Sequence, residues 1–375
     1  MTDAAPMVDE RLARRFLDRA ARAAWRACGH AEPNPLVGCV VARGDQVIGI
    51  GHHRRFGDLH AEREALADCL RRGHNPRGAT LYCTLEPCRH TGKQPPCTDA
   101  VRQAGIALVV YARRDPGAES GGGGTLLCGS GVPAVCSHAS VLATRLSDPF
   151  VHRVTTGRAW VTAKWAQTVD GRIATRTGQS QWITGPTMRR RVHRLRARAD
   201  AVLVGMGTVA ADDPMLTARG VPVRRAATRV ILDTHGRLPD DAAVARTAAE
   251  HPTLVVTASG RDFPAPIDVL RVGTAGGGAG GVDLGEAMTR LWQERGIGAV
   301  LVEAGPRVLG SLLDSDLVDE AFVHIAPMVL ADAEALPAAV GRAAASLTDA
   351  RRFTLVRAGA RGGDVELWYR RAPVT

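Results

Sequence analysis

His60-Ala61-Glu62, Leu85-Glu86-Pro87-Cys88 and Pro95-Pro96-Cys97 put one imidazole, a carboxylate and two thiols in one short stretch of chain. An imidazole and two thiolates make a three-ligand zinc site with its fourth position open, the pattern zinc uses in catalysis. Two thiolates cancel the charge of Zn²⁺. Such a metal acidifies its water less than a three-histidine site would, so a nearby base is needed. Glu62 is the natural proton carrier. His60 and Glu62 are two positions apart and, mid-helix, would point to different sides. They share a site only if a helix starts there, and the Gly57-Asp58 turn just upstream allows that. Cys97 likewise opens a helix behind two prolines, where the helix dipole favours a thiolate.

His-x-Glu followed by Pro-Cys-x-x-Cys is the signature of zinc deaminases acting on nucleobases. Here eight residues separate the cysteines. His-x-Glu alone is weak; joined to the Pro-Cys pair in an α/β context it is strong. Two blander readings stand beside it: a structural zinc site that also uses Cys83 or His90, or buried free cysteines. All eight cysteines fall between Cys28 and Cys136. Metal binding explains that clustering better than a disulfide framework does.

The elements that must position these groups alternate. Residues 9–29 read as an amphipathic helix, 36–42 and 46–53 as two strands about the Arg43-Gly44-Asp45 turn, and 60–73 as a helix. A strand at 79–85, a helix at 95–105 and a strand at 106–112 follow. This is an α/β layered domain. The stretch 146–158 has little periodicity and reads as a linker, which divides the chain into domains 1–150 and 151–375.

With 375 residues, two domains are expected. No apolar run has membrane-span length, and the charged N-terminus lacks a signal-peptide core, so a cytoplasmic protein is expected. The net charge is +10, which suits anionic small molecules, nucleic acid or acidic lipid. Aromatics are only 4% and no dense basic tract occurs, which disfavours nucleic acid. Of the 48 Lys and Arg residues only Lys93 and Lys164 are lysines. A chain that uses arginine nearly everywhere keeps lysine where a compact ammonium is needed.

In the second half, WVTAKWAQ, DAVLVG, RVILD, TLVVTA, AVLVEAG and EAFVHIAP read as strands. Val204-Gly205-Met206-Gly207-Thr208-Val209-Ala210, with Asp233 ending a later strand, is a passable but weak dinucleotide fingerprint. LVEAGPRVLGSLL (301–313) is strand, turn and helix, a place for a phosphate or a plain turn. TAGGGAGG (274–281) reads as a glycine-rich loop.

PNPLVGCVV, HAE and TLEPCRHTGKQPPC resemble the riboflavin-biosynthesis deaminases, whose two cysteines are separated by this longer insert. The second half is similar to the reductase domain that follows the deaminase in the bifunctional enzymes of that family. The resemblance implies an α/β chain of two domains, cytidine-deaminase-like α/β/α and then dihydrofolate-reductase-like α/β, with zinc and NADPH as cofactors; the dinucleotide fingerprint is then to be dropped. It implies a phosphorylated diaminopyrimidine substrate, with His60, Cys88 and Cys97 on the metal and Glu62 as catalytic carboxylate. Asn34, His53, His90 and Lys93 fall at the deaminase substrate positions. Lys164, Ser180, Arg196, Leu216, Arg219 and Glu303 fall at the reductase substrate positions, the two arginines suiting a phosphate. Trp182, Thr208, Asp212, Thr234, Gly305, Pro306, Arg307, Val308, Leu309, Gly310 and Ser311 fall at cofactor positions. A homo-oligomer, dimer or tetramer, is implied, with no nucleic-acid or membrane partner.

The chain departs from the family at Leu59, Arg63 and Arg89, at Gln167-Thr168-Val169, and at Leu330-Ala331-Asp332. The same two chemistries in a related pyrimidine or pteridine pathway, a nucleic-acid base deaminase with an appended binding domain, and a zinc-stabilised regulator are the competing readings.

Overall fold

The computed structural model describes residues 8–276, 280–341, 344 and 346–371. Residues 1–7 of the charged N-terminus and 277–279 of the glycine-rich stretch lie outside them. The chain separates into two compact units, Met1–Gly157 and Arg158–Thr375.

The first unit runs α1 (Glu10–Ala24), β1 (Gly38–Arg43), β2 (Gln46–His52), α2 (Ala61–Arg71), β3 (Thr80–Cys83), α3 (Cys97–Gln103), β4 (Leu108–Tyr111), α4 (Gly123–Gly129), β5 (Ala134–Cys136), α5 (Val141–Leu146) and α6 (Asp148–Thr156). Its sheet has the order β2-β1-β3-β4-β5. Strand β1 is antiparallel to β2 and β3, while β3, β4 and β5 are parallel. Side chains alternate across the strands. Cys39, Val41, Leu81 and Val109 therefore pack with Ala61, Ala65 and Val101 on one side. Val40, Tyr82 and Val110 pack with Phe16, Leu17 and Ala143 on the other. This is the expected α/β/α layering. Asp9 caps α1, its carboxylate accepting from the Arg11 and Leu12 N–H groups.

The stretch expected to be a linker is instead helical. Ser140 caps α5, and α6 follows almost directly, with Pro149 in its first turn. Helices this short show too little periodicity to be read from sequence.

The second unit runs β6 (Trp160–Thr168), β7 (Arg172–Ala174), α7 (Pro186–Arg196), β8 (Ala201–Gly205), α8 (Met206–Asp212), β9 (Thr228–Leu232), α9 (Ala243–Arg246), β10 (Thr253–Thr257), β11 (Asp268–Arg271), α10 (Leu284–Arg295), β12 (Ala299–Val302), α11 (Pro306–Asp314), β13 (Glu320–Ala326), β14 (Leu336–Pro337), β15 (Phe353–Arg361) and β16 (Asp364–Arg371). The nine-stranded sheet is ordered β11-β10-β9-β8-β12-β6-β13-β16-β15. The chain starts mid-sheet at β6, runs outward through β8 to β11, then returns to insert β12 between β8 and β6. Strands β11 to β13 across the sheet are parallel; β16 and β15 add an antiparallel hairpin. The return of β12 makes a switch point, and open sheets bind ligands beyond the strand ends at such points.

Candidate functional site

Two helix starts build the metal centre. His60 is the N-cap of α2, in extended backbone conformation, and Cys97 is the first residue of α3 behind Pro96. The constraint read from the two-residue spacing is met: the site sits at the helix start. Helix α2 can lie this close to the sheet because β2 carries Gly51, where a Cβ would stand 2.3 Å from Ala65 N and 2.5 Å from Ala61 O. The Asp68 carboxylate pins the same pair of elements, accepting from Ile50 N–H at 2.9 Å.

His60 Nδ1 lies 3.5 Å from Cys88 Sγ and 3.4 Å from Cys97 Sγ. The three ligand atoms fall within 4.8 Å of one another. Tetrahedral zinc, with bonds of about 2.3 Å to sulfur and about 2.0 Å to nitrogen, sets an N···S edge of about 3.5 Å. The residues fit the ion. A hydrogen bond from Cys97 holds the Cys88 thiol down at about 4, and the same bond raises Cys97. Its hydrogen bond with Cys88 also raises His60. Metal binding favours the deprotonated thiolates and neutral imidazole, so it displaces protons from these groups.

Glu62 is 3% exposed. Burial, reinforced by the Cys88 charge, pushes its carboxyl up to about 7. A carboxyl poised near neutrality is suited to carrying a proton in both directions.

A cavity of about 380 Å³ opens on these groups. Asn34, His53, His90 and Lys93 all line it. His53 Nδ1–H donates to Leu59 O at 3.1 Å, which leaves Nε2 to accept from Asn34 Nδ2 at 3.1 Å. Burial lowers the His53 pKa and so favours this neutral form. Lys93 Nζ sits 3.9 Å from the centroid of the Phe56 ring. His90 Nδ1 is buried with no partner. Sequence reasoning missed Phe56, Asp115, Ser120 and Phe150 in the lining. Asp115 and Ser120 lie on a loop whose shape depends on Glu86, which accepts from Asp115 N and Gly124 N at 3.0 and 2.8 Å. Arg89, one of the departures, closes the same loop through the Ala118 and Glu119 carbonyls.

In the second unit, α8 and α11 begin beyond the ends of the neighbouring strands β8 and β12. A Cβ at Gly305 would meet Thr208 Oγ1 at 3.9 Å, and one at Gly207 would meet nothing within 4 Å. Two helix starts thus bring backbone N–H groups and little side-chain bulk to one place, a cradle fit for cofactor phosphates. Pro306 and the exposed Arg307 lie in the first turn of α11. Asp212 accepts from Gln181 at 3.4 Å beside Trp182, which is 65% exposed and has Arg189 4.6 Å from its ring. The Thr234 hydroxyl accepts from Val282 N–H.

The remaining positions of the α11 run turn elsewhere. Leu309 is buried in the core. Gly310 packs on the chain near Val340, whose O would be 1.9 Å from an added Cβ. Val308 is half-buried against Gly205, and Ser311 is exposed a turn further on. Helical periodicity divides a run that sequence alone treats as one.

Lys164 on β6 and Glu303 after β12 lie near the same switch point. Arg196, at the end of α7, is paired with Glu303. Its guanidinium holds Glu303 at 2.6 and 3.0 Å and Thr217 O at 3.1 Å. Arg219 is exposed and its backbone N–H donates to His193 Nδ1. Leu216 has its side chain in the core at a φ of 55°, so it meets a ligand only through its backbone. Ser180 is half-buried between β7 and α7.

Residues 159–365 match the family model of the RibD C-terminal domain. Residues 10–113 match that of the cytidine and deoxycytidylate deaminase zinc-binding region. The chain is 40% identical over 305 residues to the riboflavin biosynthesis protein RibD of Aquifex aeolicus, covering 81% of this chain and 84% of that one. It is 36% identical over 330 residues to RibD of Escherichia coli, covering 84% and 88%. A solved Thermotoga maritima structure, a diaminohydroxyphosphoribosylaminopyrimidine deaminase/5-amino-6-(5-phosphoribosylamino)uracil reductase, superposes with a TM-score of 0.82 at 31% identity, over 97% of this chain and all of the other. Zinc-site geometry at one end, a reductase fold at the other and these likenesses over nearly the whole length agree: the chain belongs to the RibD family of riboflavin-biosynthesis deaminase/reductases.

Proposed function

We propose that the first unit deaminates 2,5-diamino-6-ribosylamino-4(3H)-pyrimidinone 5′-phosphate and that the second reduces the ribosyl chain of the product to ribityl with NADPH. The observation that carries the first step is the His60, Cys88 and Cys97 triangle with Glu62 buried beside it. Zinc held there supplies Lewis acidity at an open position. Glu62 takes a proton on its carboxylate and delivers it to the departing amino group. Asn34, with its amide N–H turned to His53, offers its carbonyl oxygen to a ring donor. Lys93 and His90 serve the polar, phosphorylated end of the substrate.

In the second unit, Gly305, Pro306, Arg307 and Thr208 hold the cofactor phosphates, with Trp182, Asp212 and Thr234 around them. NADPH supplies the hydride. Lys164 and Glu303 face the ribosyl group, Glu303 fixed in its ionised form by Arg196. Ser180, Arg219 and the Leu216 backbone complete the substrate side.

The chain works as a homo-oligomer in the cytoplasm. Among the described residues the edge strand β15 pairs only with β16, so its outer side is a surface for association. The eight cysteines are free thiols, which suits a reducing compartment. No helix among the described residues is long and apolar enough to cross a membrane.

The test is ammonia release from the diaminopyrimidine ribosyl phosphate, first without NADPH and then with it. Ammonia before NADPH, followed by NADPH oxidation, is expected. No ammonia from zinc-loaded protein overturns the deaminase assignment.

A further inference from the structure

Helix α6, which closes the first unit, contributes to the deaminase cavity. Phe150, in the first turn of the helix, lines the same cavity as His60, Glu62, Cys88 and Asn34. Two side chains anchor the helix. Asp148, in its first turn, pairs with Arg113 just beyond β4. Arg153, 7% exposed, donates to Pro33 O and stands 5.3 Å from the centroid of the Phe150 ring. Pro33 is the neighbour of Asn34, so one guanidinium ties the phenyl ring and the Asn34 loop together.

Phe56 and Phe150 are the two phenyl rings in the described lining. The Phe56 ring already carries the Lys93 ammonium at 3.9 Å. Phe150 is half-buried and belongs to the cavity lining. A heterocycle is flat and polarisable, and it seats best on an aromatic face. We propose that Phe150 is the wall against which the heterocyclic ring of the deaminase substrate stacks, and that Arg153 positions it in register with Asn34.

The proposal rests on the deaminase reading above, and its test separates the two. Binding of the diaminopyrimidine ribosyl phosphate is measured by calorimetry on zinc-loaded, full-length Glu62→Gln protein, with and without Phe150→Leu or Phe150→Tyr. Stacking of a base on an aromatic ring is worth about 1–3 kcal/mol, or about 5- to 150-fold in affinity. Phe150→Leu should weaken binding by that factor, and Phe150→Tyr should restore it. With Glu62 intact, Phe150→Leu should raise KM for ammonia release and leave kcat within a few-fold. Zinc content and NADPH-dependent reduction of the deaminated substrate should stay unchanged, which a general folding defect would not allow. Equal affinity of the leucine and phenylalanine proteins overturns the proposal, as does failure of the tyrosine protein to recover. Absence of ammonia from the protein with Glu62 intact, with binding and its Phe150 dependence preserved, overturns the function and leaves the wall standing. Absence of binding by the parent overturns both.

Discussion

Arg196 and Glu303 meet as a two-pronged pair inside the second unit, Nε to Oε1 at 2.6 Å and Nη2 to Oε2 at 3.0 Å, with side chains only 15% and 11% exposed. Burial alone would push the Glu303 carboxyl up. The Arg196 guanidinium, with help from Lys164, outweighs it and holds the carboxyl below its usual range. Burial likewise lowers the Lys164 ammonium while Glu303 pulls it back. Two cations therefore depend on one carboxylate.

Glu303→Gln removes the charge that both cations need. Breaking a buried pair from one side costs about 3–5 kcal/mol because an uncompensated charge remains. The unfolding transition of the second unit should drop by that order, and NADPH oxidation should fall at least about 100-fold, the scale of one lost charge-stabilising group. Ammonia release should persist. Urea unfolding and the two assays run side by side check this. Wild-type reduction by Glu303→Gln would remove Glu303 from the reductase site.

The second unit should also lose stability early on acidification. His324 is fully buried, 3.4 Å from Glu366, with Arg191 and Lys164 close enough to matter. Burial lowers its pKa, against the pull of Glu366. The unfolded chain therefore takes up a proton below about pH 6.5 that the folded chain refuses, so stability falls as pH drops through that point. Glu366 is depressed, so its own contribution is lost only at much lower pH. His193 shifts in the same direction as His324. His324→Leu should thus shrink, without abolishing, the difference in urea midpoint between pH 7.5 and pH 5.5. An unchanged difference would rule His324 out as its source.

The metal centre makes a sharper distinction. Glu62→Gln should retain stoichiometric zinc, because His60, Cys88 and Cys97 form the triangle without it. Deamination should fall by about 10²- to 10⁴-fold, the usual worth of a positioned proton carrier, while reduction of the deaminated substrate continues. Cys97→Ser should instead lose the metal. Metal analysis beside the ammonia assay separates the two, and retained deamination by Glu62→Gln would remove it from its role.

Legibility followed sequence distance. His60, Glu62, Cys88 and Cys97 were readable because helix geometry and metal chemistry constrain residues close in the chain. The Arg196–Glu303 pair spans 107 positions, and no local pattern announces that these two side chains meet. Helix α6 was hidden by its shortness, and Phe150 with it. The β15–β16 hairpin went unread because β15 is largely exposed and carries Arg357, Gly359 and Arg361, while β16 buries the polar Asp364, Glu366 and Arg370, so neither shows a clean apolar alternation. The core strands, buried on both faces, announced themselves as apolar runs.

The α11 run contains two glycines with opposite duties. Gly305 has a φ of −70°, which any residue adopts, and an added methyl would meet Thr208 Oγ1 only at 3.9 Å. Gly310 has no such room, with Val340 O at 1.9 Å and Val340 C at 2.4 Å from an added Cβ. Gly305→Ala should therefore fold with parental stability but raise KM for NADPH, because the methyl enters the space the cofactor phosphates need. Gly310→Ala should destabilise the second unit by about 1–3 kcal/mol, the cost of overpacking, by pushing α11 off the chain at Val340. Melting curves and NADPH titrations of the two variants check this. If Gly305→Ala bound NADPH as the parent does, the cradle at α8 and α11 would not be where the phosphates sit.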